Sequence, residues 1–218
     1  MIDSTATRMT RTALALAGAG VLAAGLGLAA GGQALGAPAP ARTAAHAPVR
    51  MDDLLHPADV AGAFGVRGDV TSRVGSDGDS ALSACTGETS MRDVVGPDAH
   101  LFHGVFRGRA PGAGLLVLQQ AADQATTARA TMTYRSIVGQ LRACQHEPAG
   151  HWRYGAAHVV STGAGTATWM ATTDGDGTAD GGVVIARSGR HLSVVEAMGS
   201  GAGRQVGRLA AGTLRELG

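Results

Sequence analysis

The sequence predicts an α+β protein, an antiparallel sheet packed by helices in the order α-ββ-α-ββββ-α with one disulfide. Three observations carry this expectation. Strand-like segments in the second half are joined by links of hairpin length, which pairs neighbours antiparallel. A helix-periodic stretch around Tyr134, Ile137, Val138, Leu141 and Cys144 separates them from two earlier strands. A second stretch of the same period ends the chain.

The first helix is short. Pro57 suits the first helical position, Asp59 the first turn and Gly65 the stop, with Leu54, Leu55, Val60 and Phe64 on its apolar side. Residues 68–89, rich in Gly, Ser and Asp, are expected as a long loop containing Cys85. Residues 101–107 (LFHGVFR) alternate in part. Residues 114–120 (GLLVLQQ) form a continuous run, expected to be central or buried on both faces. The turn-rich 108–113 (GRAPGA) joins them.

The longest helix is expected over 121–145, with Cys144 on its buried side near the end. Strands at 156–162 and 166–173 flank Gly163-Ala164-Gly165, and strands at 182–187 and 190–198 flank Ser188-Gly189. The closing helix, 205–217, carries Val206, Leu209, Ala210, Thr213, Leu214 and Leu217 on one face.

Residues 1–41 have the form of an export signal. Arg8 and Arg11 precede the uncharged run 12–32, and Ala39-Pro40-Ala41 offers a cleavage site, with Ala34-Leu35-Gly36 as a rival. The run approaches the ~20 residues of a membrane span, so retention as an N-terminal anchor is the alternative to cleavage. It is built mainly from Ala and Gly, which favours cleavage. Residues 42–50 read as a flexible leader and 51–218 as a single domain. The expected location is secreted or extracellular, with the membrane reached only through an uncleaved signal.

Composition excludes several classes. Setting aside Arg8, Arg11 and Asp3 from the 18 basic and 17 acidic residues leaves 16 of each, so nothing marks a nucleic-acid partner. The chain has no lysine, which removes Walker-type phosphate loops, Schiff-base enzymes and kinases. It has no asparagine either, so no N-glycosylation sequon exists. The two cysteines, Cys85 and Cys144, read as one disulfide in an oxidising compartment. A reactive thiol would want a C-x-x-C spacing or a nearby base, and neither is present.

The candidate sites are few. Asp174, Asp176 and Asp180 alternate among glycines like an oxygen-ligand calcium loop, but the twelfth place holds Ile185 instead of a bidentate Glu. A glycine-permitted hairpin loop is the favoured reading, and no metal or cofactor is expected. Asp77 and Asp79 are a weaker echo. Gly199-Ser200-Gly201-Ala202-Gly203 lies where a phosphate loop would, but the further strand and acidic residue of a dinucleotide fold do not follow. His100 and His103 lack further ligands at zinc spacing. No G-x-S-x-G elbow occurs, so no catalytic residue is assigned. Trp152 and Tyr154, flanking Arg153, are set out as candidates for a pocket mouth or a partner surface against the reading as core, and His158 and His191, in predicted strands, as candidates for a cleft against a solvent face.

The pattern resembles the PknH-like extracellular domain family, secreted or membrane-tethered sensor domains of actinobacteria. The matching parts are Leu54-Leu55-x-Pro57-x-Asp59, a cysteine before the early strands, a long helix ending in Cys144, and the closing hairpin 182–198 before a terminal helix. The resemblance implies an antiparallel sheet packed by helices, with a cleft for an unidentified ligand and no catalytic residues. Those kinase domains carry more than one disulfide, whereas this chain has one possible pair. The expected function is a non-catalytic, sensor-like extracellular binding module for a small molecule or cell-envelope component. The alternatives are a protein–protein interaction domain at the cell surface and a secreted hydrolase.

Overall fold

A computed structural model describes residues 47–66, 68–77, 79–110, 113–148, 150–199 and 203–218. The expected signal, 1–41, and residues 42–46 of the leader lie outside the described residues. Residues 44–218 form one compact unit.

Among the described residues that unit contains four α-helices and eight strands. In chain order they are α1 (Pro57–Phe64), β1 (Thr71–Gly75), α2 (Met91–Val95), β2 (Leu101–Ala110), β3 (Ala113–Asp123), α3 (Thr127–Ala143), β4 (Arg153–Tyr154), β5 (His158–Ser161), β6 (Thr166–Thr173), β7 (Ala179–Ser188), β8 (His191–Met198) and α4 (Arg204–Leu217). One antiparallel sheet runs β1-β2-β3-β8-β7-β6-β4, and β5 pairs the same edge of β6 as β4, along Thr166 to Trp169. The α+β expectation holds, with Cys85 and Cys144 joined.

Helices cover both faces of the sheet, and the alternation of its central strands shows why. Val184 and Ala186 of β7 enter one core with α1 and α4, while Val183 and Ile185 enter a second core with α3. In β8, Val195 and Ala197 take the first side and Val194 the second. Strands buried on both faces lose the apolar–polar alternation and read as continuous apolar runs. Two glutamines of β3 serve opposite sides. The Leu55 N–H donates to Gln119 Oε1 at 2.7 Å, and Gln119 Nε2 donates to Ser193 Oγ at 3.1 Å. Gln120 Nε2 donates to the carbonyls of Ser80 and Ala81, both at 3.1 Å.

Several segments differ from expectation, among them β4, a two-residue strand at Arg153–Tyr154 that adds to the expected strand series. The expected loop 68–89 contains β1, whose side chains are nearly all exposed. It lies at the sheet edge and is held by backbone pairing to β2, which leaves no hydrophobic period to find. The helix expected from 121 starts at Thr127. Ala121, Ala122 and Asp123 instead extend β3 against β8, so ladder bonds and burial outweigh the helix propensity of alanine. Thr126 then caps α3 by accepting the Arg129 N–H at 3.1 Å.

The short α2 is the third addition. Ser90 and Asp93 form a reciprocal cap: the Ser90 N–H donates to Asp93 Oδ2 at 2.8 Å and the Asp93 N–H to Ser90 Oγ at 3.2 Å. The Ser90 hydroxyl also donates to Asp93 Oδ2 at 2.7 Å, and together with the Ser90 N–H it holds the Asp93 carboxyl below the usual carboxylate range. Residues 47–50 of the expected flexible leader are packed. Val49 is buried in the α1–α4 core and the Arg50 N–H donates to Asp53 Oδ2 at 2.7 Å.

Candidate functional site

The four residues set out as ligand candidates do not share a site. Trp152 and Tyr154 meet edge-on, with centroids 4.6 Å apart, inside the α3-side core with the disulfide. Tyr154 is 2% exposed, and burial pushes its phenol well above the ordinary range, helped by the charge of Glu196 and opposed by Ser83. Ser83 faces the hydroxyl without completing a hydrogen bond, so Tyr154 Oη is buried and unpartnered among the described residues.

His158 and His191 belong to the other face. His158 stacks on Trp169 at 4.2 Å, and Trp169 packs on Gly207 of α4. His191 Nε2 lies 2.9 Å from the Ala47 carbonyl and Nδ1 3.5 Å from that of Leu217, so it fastens the N-terminal segment to the end of α4. The sheet stands between the Trp152–Tyr154 pair and the two histidines.

The aspartates after β6 act within the hairpin. Asp174 Oδ1 accepts the Thr178 N–H at 2.8 Å, and Asp180 Oδ1 accepts the Gly199 N–H at 3.0 Å. The first bond closes the β6–β7 turn on itself, and the second ties the start of β7 to the residue after β8. Among the described residues no three His, Cys, Asp or Glu side chains gather as a metal set. Of the glycine-rich link 199–203, residues 200–202 lie outside the described residues.

The most developed site was not legible in the sequence. At the end of the sheet where β2 starts, β3 stops and β8 starts, a cavity of about 490 Å³ opens. Residues 95–100, Asp123, Gln124, Ala125, Arg190 and Pro48 line it. The antiparallel register sets Asp123 opposite His191, which brings Arg190 alongside although 67 residues separate the two in sequence. Arg190 Nη2 donates to Asp123 Oδ2 at 2.8 Å, and the His100 N–H donates to Asp123 Oδ1 at 3.0 Å. The backbone closes the same corner, since the Gln124 N–H donates to the Arg190 carbonyl at 2.9 Å.

Asp123 and Gln124 are both buried, and two donors there have no partner among the described residues: Gln124 Nε2 and Arg190 Nε. A buried donor left unmet costs about 1–3 kcal/mol. The site is thus short of acceptors. Breaking its ion pair has a measurable cost. Asp123→Asn is expected to destabilise the fold by about 2 kcal/mol, less than a fully buried pair because Arg190 is a quarter exposed. Adding Arg190→Met should recover part of that loss, because the orphaned charge goes with it. Urea unfolding of the two variants checks this, and a double variant less stable than Asp123→Asn alone would refute it.

No family model matches the chain, and no curated protein sequence matches it. Among solved structures it is similar to the extracellular domain of PknH from Mycobacterium tuberculosis. The TM-score is 0.54 at 14% identity, over 79% of this chain and 98% of that one. It also aligns with an uncharacterised Mycobacterium smegmatis protein, an Rv0999 ortholog, at a TM-score of 0.36 and 11% identity, over 75% of this chain and 97% of that one.

Proposed function

We propose that this chain is a secreted, non-catalytic binding module of sensor type that receives a small molecule or cell-envelope component. The observation that carries the reading is the match of its fold to nearly the whole PknH extracellular domain. Two features agree with it. The Cys85–Cys144 bridge suits an oxidising compartment outside the cytoplasm, and the 1–41 segment has the form of an export signal.

The cavity beside Asp123 and Arg190 is the receiving site. Its unmet donors ask for oxygen acceptors on the ligand, while Asp123 neutralises the guanidinium, so a neutral or weakly charged polar molecule fits better than a strong anion.

Thermal unfolding in the presence of a polar extract of the host cell envelope tests this. The expected result is a raised midpoint for the wild type and none for Ala99→Trp, which fills the cavity beside His100. An equal rise in both proteins, or none in either, would refute the cavity as the receiving site.

A further inference from the structure

A second site lies on the sheet itself, apart from the Asp123–Arg190 cavity. In the β1–β2 pair, Thr71 stands opposite Arg107 and Arg73 opposite Val105. Arg73 and Arg107 are therefore diagonal neighbours on one face, about 7–8 Å apart at their roots. That face is the one that carries Leu101 into the α3-side core. The helices of that side pack over β3, β7 and β8, and they leave β1 uncovered. A hollow of about 420 Å³ remains, lined by Thr71, Arg73, His103, Val105 and Arg107.

Neither Arg73 nor Arg107 has a side-chain hydrogen bond or ion pair among the described residues. The nearby carboxylate, Asp77, lies 2.6 Å from His103 Nδ1 and so is drawn to the histidine. Val105, directly opposite Arg73 and two residues from Arg107, gives the hollow an apolar floor.

We infer that this face binds a phosphate-type oxyanion held between Arg73 and Arg107. A guanidinium is a planar fork that matches two oxygens at once. One fork saturates a planar carboxylate, whereas two forks at diagonal positions can share a tetrahedral phosphate or bridge neighbouring ones. The phosphate can belong to a soluble compound or to the diester headgroup of an anionic lipid. The shared chemistry is the same in both cases.

The test uses the full chain at low ionic strength, where exposed charges are least screened. Calorimetric titration with pyrophosphate probes the soluble source. Sedimentation with phosphatidylglycerol vesicles, set against phosphatidylcholine vesicles, probes the lipid source. Binding is expected to at least one probe, and which one identifies the source. Arg73→Gln with Arg107→Gln should weaken it about tenfold or more. Arg129→Gln with Arg135→Gln, exposed on α3 and equal in charge change, should alter it less than about twofold. Binding to neither probe, or a loss in the first variant no larger than in the second, overturns the assignment.

Discussion

Serine at Cys85 and Cys144 is expected to lower the unfolding free energy by about 4 kcal/mol, the chain-entropy value for a loop of this length. The two residues are 59 apart in sequence and their Cα atoms 6.2 Å apart. The bridge links a turn of 3-10 helix at Ala84–Thr86 to the end of α3, and between them lie α2, β2 and β3. Both sulfurs pack on the α3-side core beside Leu82 and Leu141. Few side chains in 79–89 are buried, so the covalent tie adds to the hold of Leu82 in the core and of the Gln120 hydrogen bonds. For a domain of this size the thermal midpoint should fall by about 8–16 °C. A double variant within about 1 kcal/mol of the wild type would refute a stabilising role for the bridge.

The second large effect is expected at Gly181, the third residue of β7. Its φ is +86°, and a Cβ there would run into the Ala197 carbonyl oxygen of β8. The colliding atom is backbone in a paired strand, since Ala197 stands opposite Gly182 in the β7–β8 ladder. Gly181→Ala should therefore cost about 3 kcal/mol or more, combining a disfavoured backbone with a backbone collision. Gly177→Ala separates the two causes. That glycine also has a positive φ, +83°, but nothing within 4 Å of the added carbon. It should cost only about 1–2 kcal/mol. Equal losses at the two positions, measured by urea unfolding, would show that the close approach to Ala197 is unimportant. If Gly181→Ala does not accumulate as soluble protein while Gly177→Ala does, the order of effects is already established.

The parts of the fold that were legible are those where local pattern and tertiary burial agree. β6 spans Thr166–Thr173 as expected, and α1 begins at Pro57 and stops before Gly65. The β7–β8 hairpin announced itself by Ser188-Gly189 between two apolar runs. The illegible parts are those held by something other than their own side chains. β1 has no buried face and exists through its ladder with β2. The start of α3 was masked because Ala121 and Ala122 suit a helix in isolation but are claimed by the sheet.

The candidate site was illegible for a stronger reason. Asp123 and Arg190 sit at a strand end and a turn, and only the β3–β8 register brings them together. A local signal did exist for α2, in the Ser90-x-x-Asp93 capping pattern. The aromatic cluster gave the opposite lesson. Trp152 and Tyr154 are adjacent in sequence to a glycine-rich stretch, but the sheet needs them as core on the α3 side.

The central claim is that the molecule is an exported module that holds a ligand. Native mass spectrometry of the protein recovered from its host's culture supernatant tests it most directly. The expected spectrum shows a chain cleaved near Ala41 and two hydrogens lighter than its reduced form. It also carries a reproducible added mass that leaves on denaturation and is absent from Ala99→Trp. A bare protein in the supernatant, identical in the two forms, would contradict the binding reading. A chain found only with the cells would contradict its release.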